Sequence, residues 1–175
     1  MKLAVTPLRP EHAPRVHAWE NHPDVLRWLL HDGVTLDEVA ARAASPPTPQ
    51  PAEVIHHVIE RADVPVGYLA LSAHPPPPCA WGSFELFVGP EHQGEGVGRE
   101  ALARVPGLLR DWRGLEVIRI GVFEDNHRAV ALYKELGYAV TERCWFPKGG
   151  AERRGLLMSN NPDAFARRPI GFRSR

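Results

Sequence analysis

The chain has 175 residues, 43% of them hydrophobic and 24% charged, with 21 Lys and Arg against 21 Asp and Glu. That length and composition fit one globular domain able to bury its own core, and the two cysteines, Cys79 and Cys144, exclude a disulfide scaffold or a four-cysteine zinc site and fit a reducing, cytoplasmic setting. No apolar run approaches the roughly 20 residues that cross a bilayer, and the N-terminal MKLAVTPLRPEH breaks at prolines before a signal-like stretch develops. Charge is uneven along the chain. Residues from Arg143 to the end carry +6 and residues 1–142 carry −6. A basic footprint over the whole chain, as a nucleic-acid binder would need, is absent, and the basic end reads as a solvated terminus.

In chain order, Leu3–Leu8 alternates and predicts a strand. Glu11–Leu30 reads as helical with a break at Asn21-His22-Pro23, and Thr35–Ala44 as a helix opened by a Thr35/Glu38 capping box. Two proline clusters, Ser45–Pro51 and His74–Cys79, read as stiff connections. Glu53–Arg61 and Pro65–Ala73 predict two strands joined by a hairpin at Ala62-Asp63. Trp81–Val88 is a third strong strand, followed by a glycine-rich turn and a helix over Gly98–Trp112 with a kink or early end at Pro106-Gly107. Leu115–Phe123 is a β-branched strand. His127–Leu136 is a short amphipathic helix stopped by Gly137. Tyr138–Phe146 and Leu156–Ser159 close the pattern as strands, with Lys148-Gly-Gly150 between them. Hairpin-connected strands passing into a β-α-β-α unit imply an α/β (α+β) fold with a mixed sheet covered by helices.

The stretch that carries chemistry runs from Phe84 to Leu102. A buried strand enters a loop with Gly94, Gly96 and Gly98, and the loop opens directly into a helix. Glycines permit positive φ and close approach of backbone N–H groups, and a helix start adds unpaired donors, so the pattern suits a phosphate cradle. It equally suits a plain turn before a helix. A P-loop would end in Gly-Lys-Ser/Thr, whereas Gly98 precedes Arg99-Glu100; a dinucleotide fingerprint would space its glycines GxGxxG. Gln93, Gly96 and Gly98 instead satisfy Gln-x-x-Gly-x-Gly.

With that motif, and with Asn126-x-x-Ala129, Leu132-Tyr133 and Gly137-Tyr138 following the next strand in order, the sequence resembles the GCN5-related N-acetyltransferase (GNAT) superfamily from about Trp81 to Tyr138. The resemblance implies a mostly antiparallel central sheet of six or seven strands, flanked by helices, with a splay between the fourth and fifth strands (Trp81–Val88 and Leu115–Phe123). It implies residues 1–160 as one N-acetyltransferase domain, with 161–175 as a basic tail. It also implies acetyl-CoA as cosubstrate, its pyrophosphate on the amides of Gln93, Gly94, Glu95, Gly96, Val97, Gly98 and Arg99. Pantetheine would pair with backbone at Phe87 and Val88 and meet Asn126 beside Ala129. Asn126 also reads as the cap of its helix, and one side chain serves only part of both roles.

By the same resemblance, Tyr133 is the general acid for the departing thiolate, a phenol that keeps its proton at pH 7. As a plain residue it would be a packing aromatic. Glu85 leads as the base that neutralises the amine, its carboxyl desolvated by Phe84, Leu86, Phe87 and Val88. A bulge of the kind relatives carry near this strand's end would alter which face Glu85 occupies. Glu124, Asp125, Glu53 and His57 are weaker candidates. A backbone N–H at Val88 would meet the oxyanion. The expected reaction is acetyl transfer to a primary amine, with a small molecule favoured as acceptor. The alternatives are a protein N-terminus or lysine, or a non-catalytic acyl-CoA-binding module. Relatives are often homodimers.

Other constellations are weaker. His12 and His17 are five apart, His56 and His57 point to opposite strand faces, and no HExxH occurs, so no metal is expected. Cys79 and Cys144 read as ordinary thiols. Trp19, Trp28, Trp81, Trp112 and Trp145 read as core anchors, with Trp19 and Trp28 a possible aromatic wall for the acceptor. Specificity is expected in Glu11–Ala44, the proline-rich loops and the Arg143–Gly155 hairpin.

Overall fold

The computed structural model describes residues 3–44, 48–50, 52–76 and 79–166. Parts of both proline clusters and the arginines at 167, 168, 173 and 175 lie outside the described residues. The strands are β1 (Leu3–Pro7), β2 (Thr48–Gln50), β3 (Ala52–Arg61), β4 (Val64–His74), β5 (Trp81–Val88), β6 (Arg119–Phe123), β7 (Ala139–Lys148) and β8 (Ala151–Ser159). The helices are α1 (Ala13–Glu20), α2 (Pro23–Leu26), α3 (Leu36–Ala44), α4 (Val97–Leu102), α5 (Val105–Arg113), α6 (His127–Glu135) and α7 (Asp163–Ala166).

The strands form two antiparallel sheets. One runs β1-β3-β4-β5, with β2 also on β3; the other runs β6-β8-β7. Among the described residues the sheets are tied by a single parallel bridge, Gly82 to Ile118, where Gly82 N–H donates to Val117 O at 2.8 Å. Beyond it β5 and β6 part. The expected splay is therefore wide enough to divide the sheet in two, and regular pairing in the fifth predicted strand starts only at Arg119 rather than Leu115.

Alternation along the strands sorts side chains into two cores. Leu69 and Leu71 of β4, with Leu86 and Val88 of β5, face Val97, Ala101, Val105 and Leu109 of α4 and α5. Tyr68 and Ala70, with Phe87, face Val16, Trp19 and Val39 of α1 and α3. Because helices cover both faces, β4 is buried almost continuously. Fully buried side chains such as Val39, Leu69, Leu109 and Ile118 each contribute about 1.5–3 kcal/mol.

Local signals behave as their chemistry requires. Thr35 Oγ1 accepts from Glu38 N–H at 3.2 Å, while Thr35 N–H donates to Glu38 Oε2 at 2.6 Å, completing the capping box. The break in the expected Gly98–Trp112 helix falls at Ala103-Arg104, so that Pro106 sits in the first turn of α5, where its missing N–H costs nothing. The last hairpin is longer than the sequence suggested. Glu152, Arg153 and Arg154 do not look like a strand, yet β8 pairs through them to Ala151. Trp145, expected in the core, is 56% exposed, with the Arg154 guanidinium 5.5 Å from its ring centre. α7 brings Phe165 edge-on to Trp81, centroids 6.0 Å apart.

The β3–β4 hairpin turns at Ala62-Asp63 as expected, and both residues are left-handed, with φ of 50° and 60°. That is the geometry of a type I′ turn, which favours Asn-Gly, and a non-glycine residue in it costs about 1–2 kcal/mol. The double substitution Ala62→Asn and Asp63→Gly is expected to raise the free energy of unfolding by about 1 kcal/mol, read from the midpoint of a urea titration at unchanged slope.

Candidate active site

After β5 the chain turns through Gly89 and a single 3-10 turn, Pro90–His92, into the loop Gln93–Gly96 and then α4. Gly94 and Gly96 are left-handed, with φ of 88° and 80°. A Cβ on either would meet no atom within 4 Å, so the backbone angle, not crowding, requires glycine there. Gly98 is different. It is helical, and an added Cβ would touch Val88 Cγ2 at an ordinary 3.8 Å. Gln93 Nε2 donates to Val88 O at 3.3 Å, folding the loop back on the strand end. Arg61 holds Glu95 at 2.6 Å, and Arg99 pairs with Glu135 at the end of α6. The first N–H groups of α4 have no acceptor within the helix and face outward from its start.

This loop forms one end of a cleft of about 520 Å³. Leu86, Phe87 and Val88 of β5 and Gly121 and Val122 of β6 form its two sides, so the cleft lies in the gap between the parted strands. Asn126, Ala129, Leu132 and Tyr133 of α6 line it next, and Val25, Trp28 and Leu29 stand at the side of the N-terminal helices. Of the residues singled out in the sequence, Phe87, Val88, Gln93, Gly94, Gly96, Val97, Gly98, Arg99, Asn126, Ala129 and Tyr133 all border this one cleft. Glu95 is turned to Arg61 and Glu85 is not on the lining. Arg128 and Glu135 also border it. The sequence offered no signal for either, since Arg128 occupies a variable position of the Asn-x-x-Ala pattern.

Asn126 caps α6: its Oδ1 accepts from Ala129 N–H at 3.2 Å. The cap consumes the oxygen and leaves the amide NH₂ as a donor at the cleft, so the two roles read from the sequence divide between two atoms. Tyr133 packs edge-on against Phe84, centroids 5.8 Å apart, and beside Tyr138 at 6.1 Å. Burial, and then the neighbouring Tyr138, push its phenol well above the usual range, so it stays protonated at any ordinary pH.

Glu85 lies on the other face. β5 pairs with β4 without a break from His74–Trp81 to Gly67–Val88, so the expected bulge does not occur in this pairing and strict alternation holds. Phe84, Leu86 and Val88 pack toward α4 to α6, and Glu85 sides with Phe87 toward α1 to α3. Tyr133 and Glu85 thus stand on opposite faces of the same strand. Burial, reinforced by the negative charge of Glu20, raises the Glu85 carboxyl above the usual carboxylate range.

The weaker candidates lie elsewhere. Glu53 is engaged by Arg113 Nε at 2.7 Å. Asp125 is 2.7 Å from Arg153 and Glu124 is 3.5 Å from Arg143, in a separate shallow depression. His57 is half-buried, and desolvation lowers its pKa; strand alternation points it to the face opposite His56. Burial raises the Cys144 thiol, which works against a reactive thiolate. Trp28 borders the cleft, but Trp19 is 4% exposed and clamps the strand-to-loop corner. Its Nε1 donates to Glu91 Oε1 at 2.9 Å, and its ring lies so close that a Cβ on Gly89 would come within 2.6 Å.

Among the described residues, one group of side chains is close enough to consider as a metal centre: Glu20, His31 and Glu85, with polar atoms within 4.8 Å of one another. Their donors do not suit a cation. Arg42 Nη1 already engages both Glu20 oxygens, at 3.0 and 2.8 Å. His31 Nδ1 accepts from Gly33 N–H at 3.2 Å, so the neutral ring carries its hydrogen on Nε2, the atom facing the carboxylates. The sequence reading missed Glu20, His31 and Arg42, which no spacing connects.

The family model for the acetyltransferase (GNAT) family matches residues 13–138. The mycothiol acetyltransferase of Salinispora arenicola is 43% identical over 56 residues, 32% of this chain and 18% of that protein. The L-amino acid N-acyltransferase MnaT of Escherichia coli is 38% identical over 56 residues, 32% of each chain. The chain thus matches less than a third of the length of these relatives. In structure, spermidine N-acetyltransferase of Vibrio cholerae, in complex with CoA and spermine, superposes with a TM-score of 0.77 at 20% identity over 90% of this chain and 94% of that one. Aminoglycoside acetyltransferase AAC(6')-Ib with ribostamycin and coenzyme A gives 0.75 at 15% identity over 98% and 100%. Those identities establish the fold, and the family match over most of the chain establishes the rest: the protein belongs to the GNAT acetyltransferase family.

Proposed function

We propose that the protein transfers acetyl from acetyl-CoA to the primary amine of a small molecule by direct attack, without a covalent acyl-enzyme. The carrying observation is the continuity of the cleft: one cavity joins the Gln93–Arg99 loop, the gap between β5 and β6, and Tyr133. The residues present fit the cosubstrate. Loop amides and the start of α4 suit the pyrophosphate, exposed strand backbone at Phe87 and Val88 suits pantetheine, and the Asn126 NH₂ is a free donor beside it.

The amine must lose a proton before it attacks. Glu85, as its carboxylate, accepts that proton directly or through water and becomes the acid. The carbonyl oxygen gains negative charge near the Val88 N–H. As the tetrahedral intermediate collapses, the C–S bond breaks, Tyr133 donates its proton to the sulfur, which leaves as the thiol, and the second proton shed by the nitrogen returns through water to the Tyr133 phenolate. The opposite placement of Glu85 and Tyr133 suits this division: a thioester lying in the gap is reached from one face by the amine and from the other by the acid.

A small acceptor is favoured by the strap across the N-terminal helices. Lys148 Nζ donates to Leu26 O at 2.9 Å, Gly149 N–H to Asp32 Oδ1 at 2.9 Å, and Arg153 to Arg27 O at 2.7 Å. These contacts join the β7–β8 hairpin to the segment around α2, beside the Val25, Trp28 and Leu29 wall of the cleft. The named relatives that act on spermidine and on amino acids point to the same class. A cytoplasmic setting remains our reading from cysteine usage; among the described residues no helix is long and apolar enough to cross a membrane.

Release of free thiol from acetyl-CoA with a panel of spermidine, kanamycin, L-amino acids and a short peptide tests the reading. Turnover with small amines is expected. Preference for the peptide selects the polypeptide alternative, and CoA binding without turnover selects the non-catalytic one. Tyr133→Phe is expected to lower kcat about 10²-fold or more with little change in KM for acetyl-CoA; equal kcat dismisses the acid. Since Glu85 ionises above the usual carboxylate range, the rate should rise with pH through that raised value, and Glu85→Gln should abolish this acidic limb. Because the folded state binds the Glu85 proton more tightly than the unfolded chain, ionising Glu85 as pH rises costs stability, and Glu85→Gln should be at least as stable at neutral pH. Gly98→Ala should melt like the parent protein, but gain less than the ~2.7 kcal/mol that CoA at 100 times its Kd gives the parent.

A further inference from the structure

Glu85 is not alone on its face of the sheet. Glu20, the last residue of α1, is 0% exposed, and both its oxygens are held by Arg42 of α3. His31, in the segment between α2 and α3, places Nε2 3.0 Å from Glu20 Oε1, and Glu85 of β5 completes the cluster within 4.8 Å. Behind them Tyr68 of β4 is 1% exposed and shares a 2.6 Å hydrogen bond with His56 Nδ1 of β3. From the β7–β8 hairpin, Lys148 binds the His31 carbonyl and lies 3.4 Å from Asp32, so it fixes the backbone of this segment rather than the ring. Glu38 of α3, paired with Thr35, also lies within reach of the ring's charge, and with it these are the charged and titratable groups that face the His31 imidazole and its segment among the described residues.

The ring is held at Nδ1. Gly33 N–H donates to Nδ1, which commits the hydrogen of the neutral ring to Nε2; Nε2 is buried 3.0 Å from Glu20 Oε1 and near Glu85, but is aligned for a hydrogen bond with neither. Glu20 is spoken for by the guanidinium. Among the described residues Glu85 makes no side-chain hydrogen bond, with Arg42 acting on it only through charge, and it lies on the Phe87 side of β5. An Nε2–H donor with no acceptor of its own is therefore left beside Glu85, next to a Glu20 carboxylate that Arg42 holds in place.

We propose that His31 is a positioning residue for Glu85: its buried Nε2–H, which no other acceptor takes, orients the Glu85 carboxylate and steadies its negative charge for proton abstraction from the acceptor amine. The proposal rests on the assignment of Glu85 as base, and it extends that assignment to a group from a different element that no motif marks. The adjoining Glu20 carboxylate raises the basicity of His31; protonation at Nδ1 gives up the Gly33 contact, and the positive ring then opposes the burial that neutralises Glu85. The two groups then titrate as a coupled pair, and each must shift the other by the same amount.

The test is an NMR titration of the full isotope-labelled chain without ligands, following the His31 ring and the Glu85 carboxyl in the parent, Glu85→Gln and His31→Gln. In Glu85→Gln the His31 midpoint should fall by about one pH unit, and in His31→Gln the Glu85 midpoint should rise equally. An unchanged His31 midpoint in Glu85→Gln overturns the proposal, whatever the activity. Kinetics with acetyl-CoA and the amine found by the panel separate the underlying reading. His31→Ala should move the acidic limb of the rate upward in pH and lower kcat/KM for the amine without changing KM for acetyl-CoA, and His31→Gln, which keeps a donor at Nε2, should recover part of the rate. Coupled titrations with an acidic limb that persists unmoved in Glu85→Gln refute Glu85 as base but leave the coupled pair standing.

Discussion

The parting of β5 from β6 is the constraint around which this molecule is built. One bridge, Gly82 to Ile118, holds the two sheets together, and past it each strand end turns its backbone to a gap instead of a neighbour. Unpaired strand backbone is costly when buried and adhesive when exposed. Here it borders a cleft sized for an extended ligand. The α4, α5 and α6 helices can span both sheets because their core, from Leu69 and Leu109 to Ile120 and Met158, runs continuously beneath the opening.

The gap also separates chemistry by face. Strict alternation along β5 sends Phe84 to Tyr133 and Glu85 to the α1–α3 side. On one face a phenol is kept protonated by burial. On the other, a carboxylate is kept basic by burial, within a cluster that includes an anchored ion pair. The same physical effect, desolvation of the charged form, raises both groups: the phenol keeps its proton at neutral pH, and the carboxylate binds a proton more tightly than usual.

The acceptor side is assembled from segments far apart in the chain. α1 to α3 supply Glu20, His31 and Arg42. The β7–β8 hairpin reaches more than a hundred positions back to seal that segment through Lys148, Gly149 and Arg153. Arg153 also lies over the rings of Trp28 and Phe123, at 5.0 and 4.3 Å, so a charged stretch that looks unlike a strand serves as a clamp. These contacts join residues distant in the chain, whereas Gln93–Arg99 is a single continuous stretch.

That difference explains how much could be read from residues alone. Gln93–Gly98 and Asn126–Tyr138 are local: left-handed glycines at a turn, a cap at a helix start and a phenol two turns on all follow from neighbours in sequence, so the loop and eleven of the residues bordering the cleft were legible, as were the strands apart from β2, inside a proline cluster read as a connection, and the charged start of β8. Period-two alternation likewise placed Glu85 opposite Leu86. The tertiary structure alone decided that β5 keeps its register, that Trp19 locks a corner while Trp28 borders the cleft, and that Glu20, His31 and Arg42 gather around Glu85. Those outcomes depend on packing between elements distant in the chain, where burial and charge pairing, rather than local backbone preference, determine which groups meet.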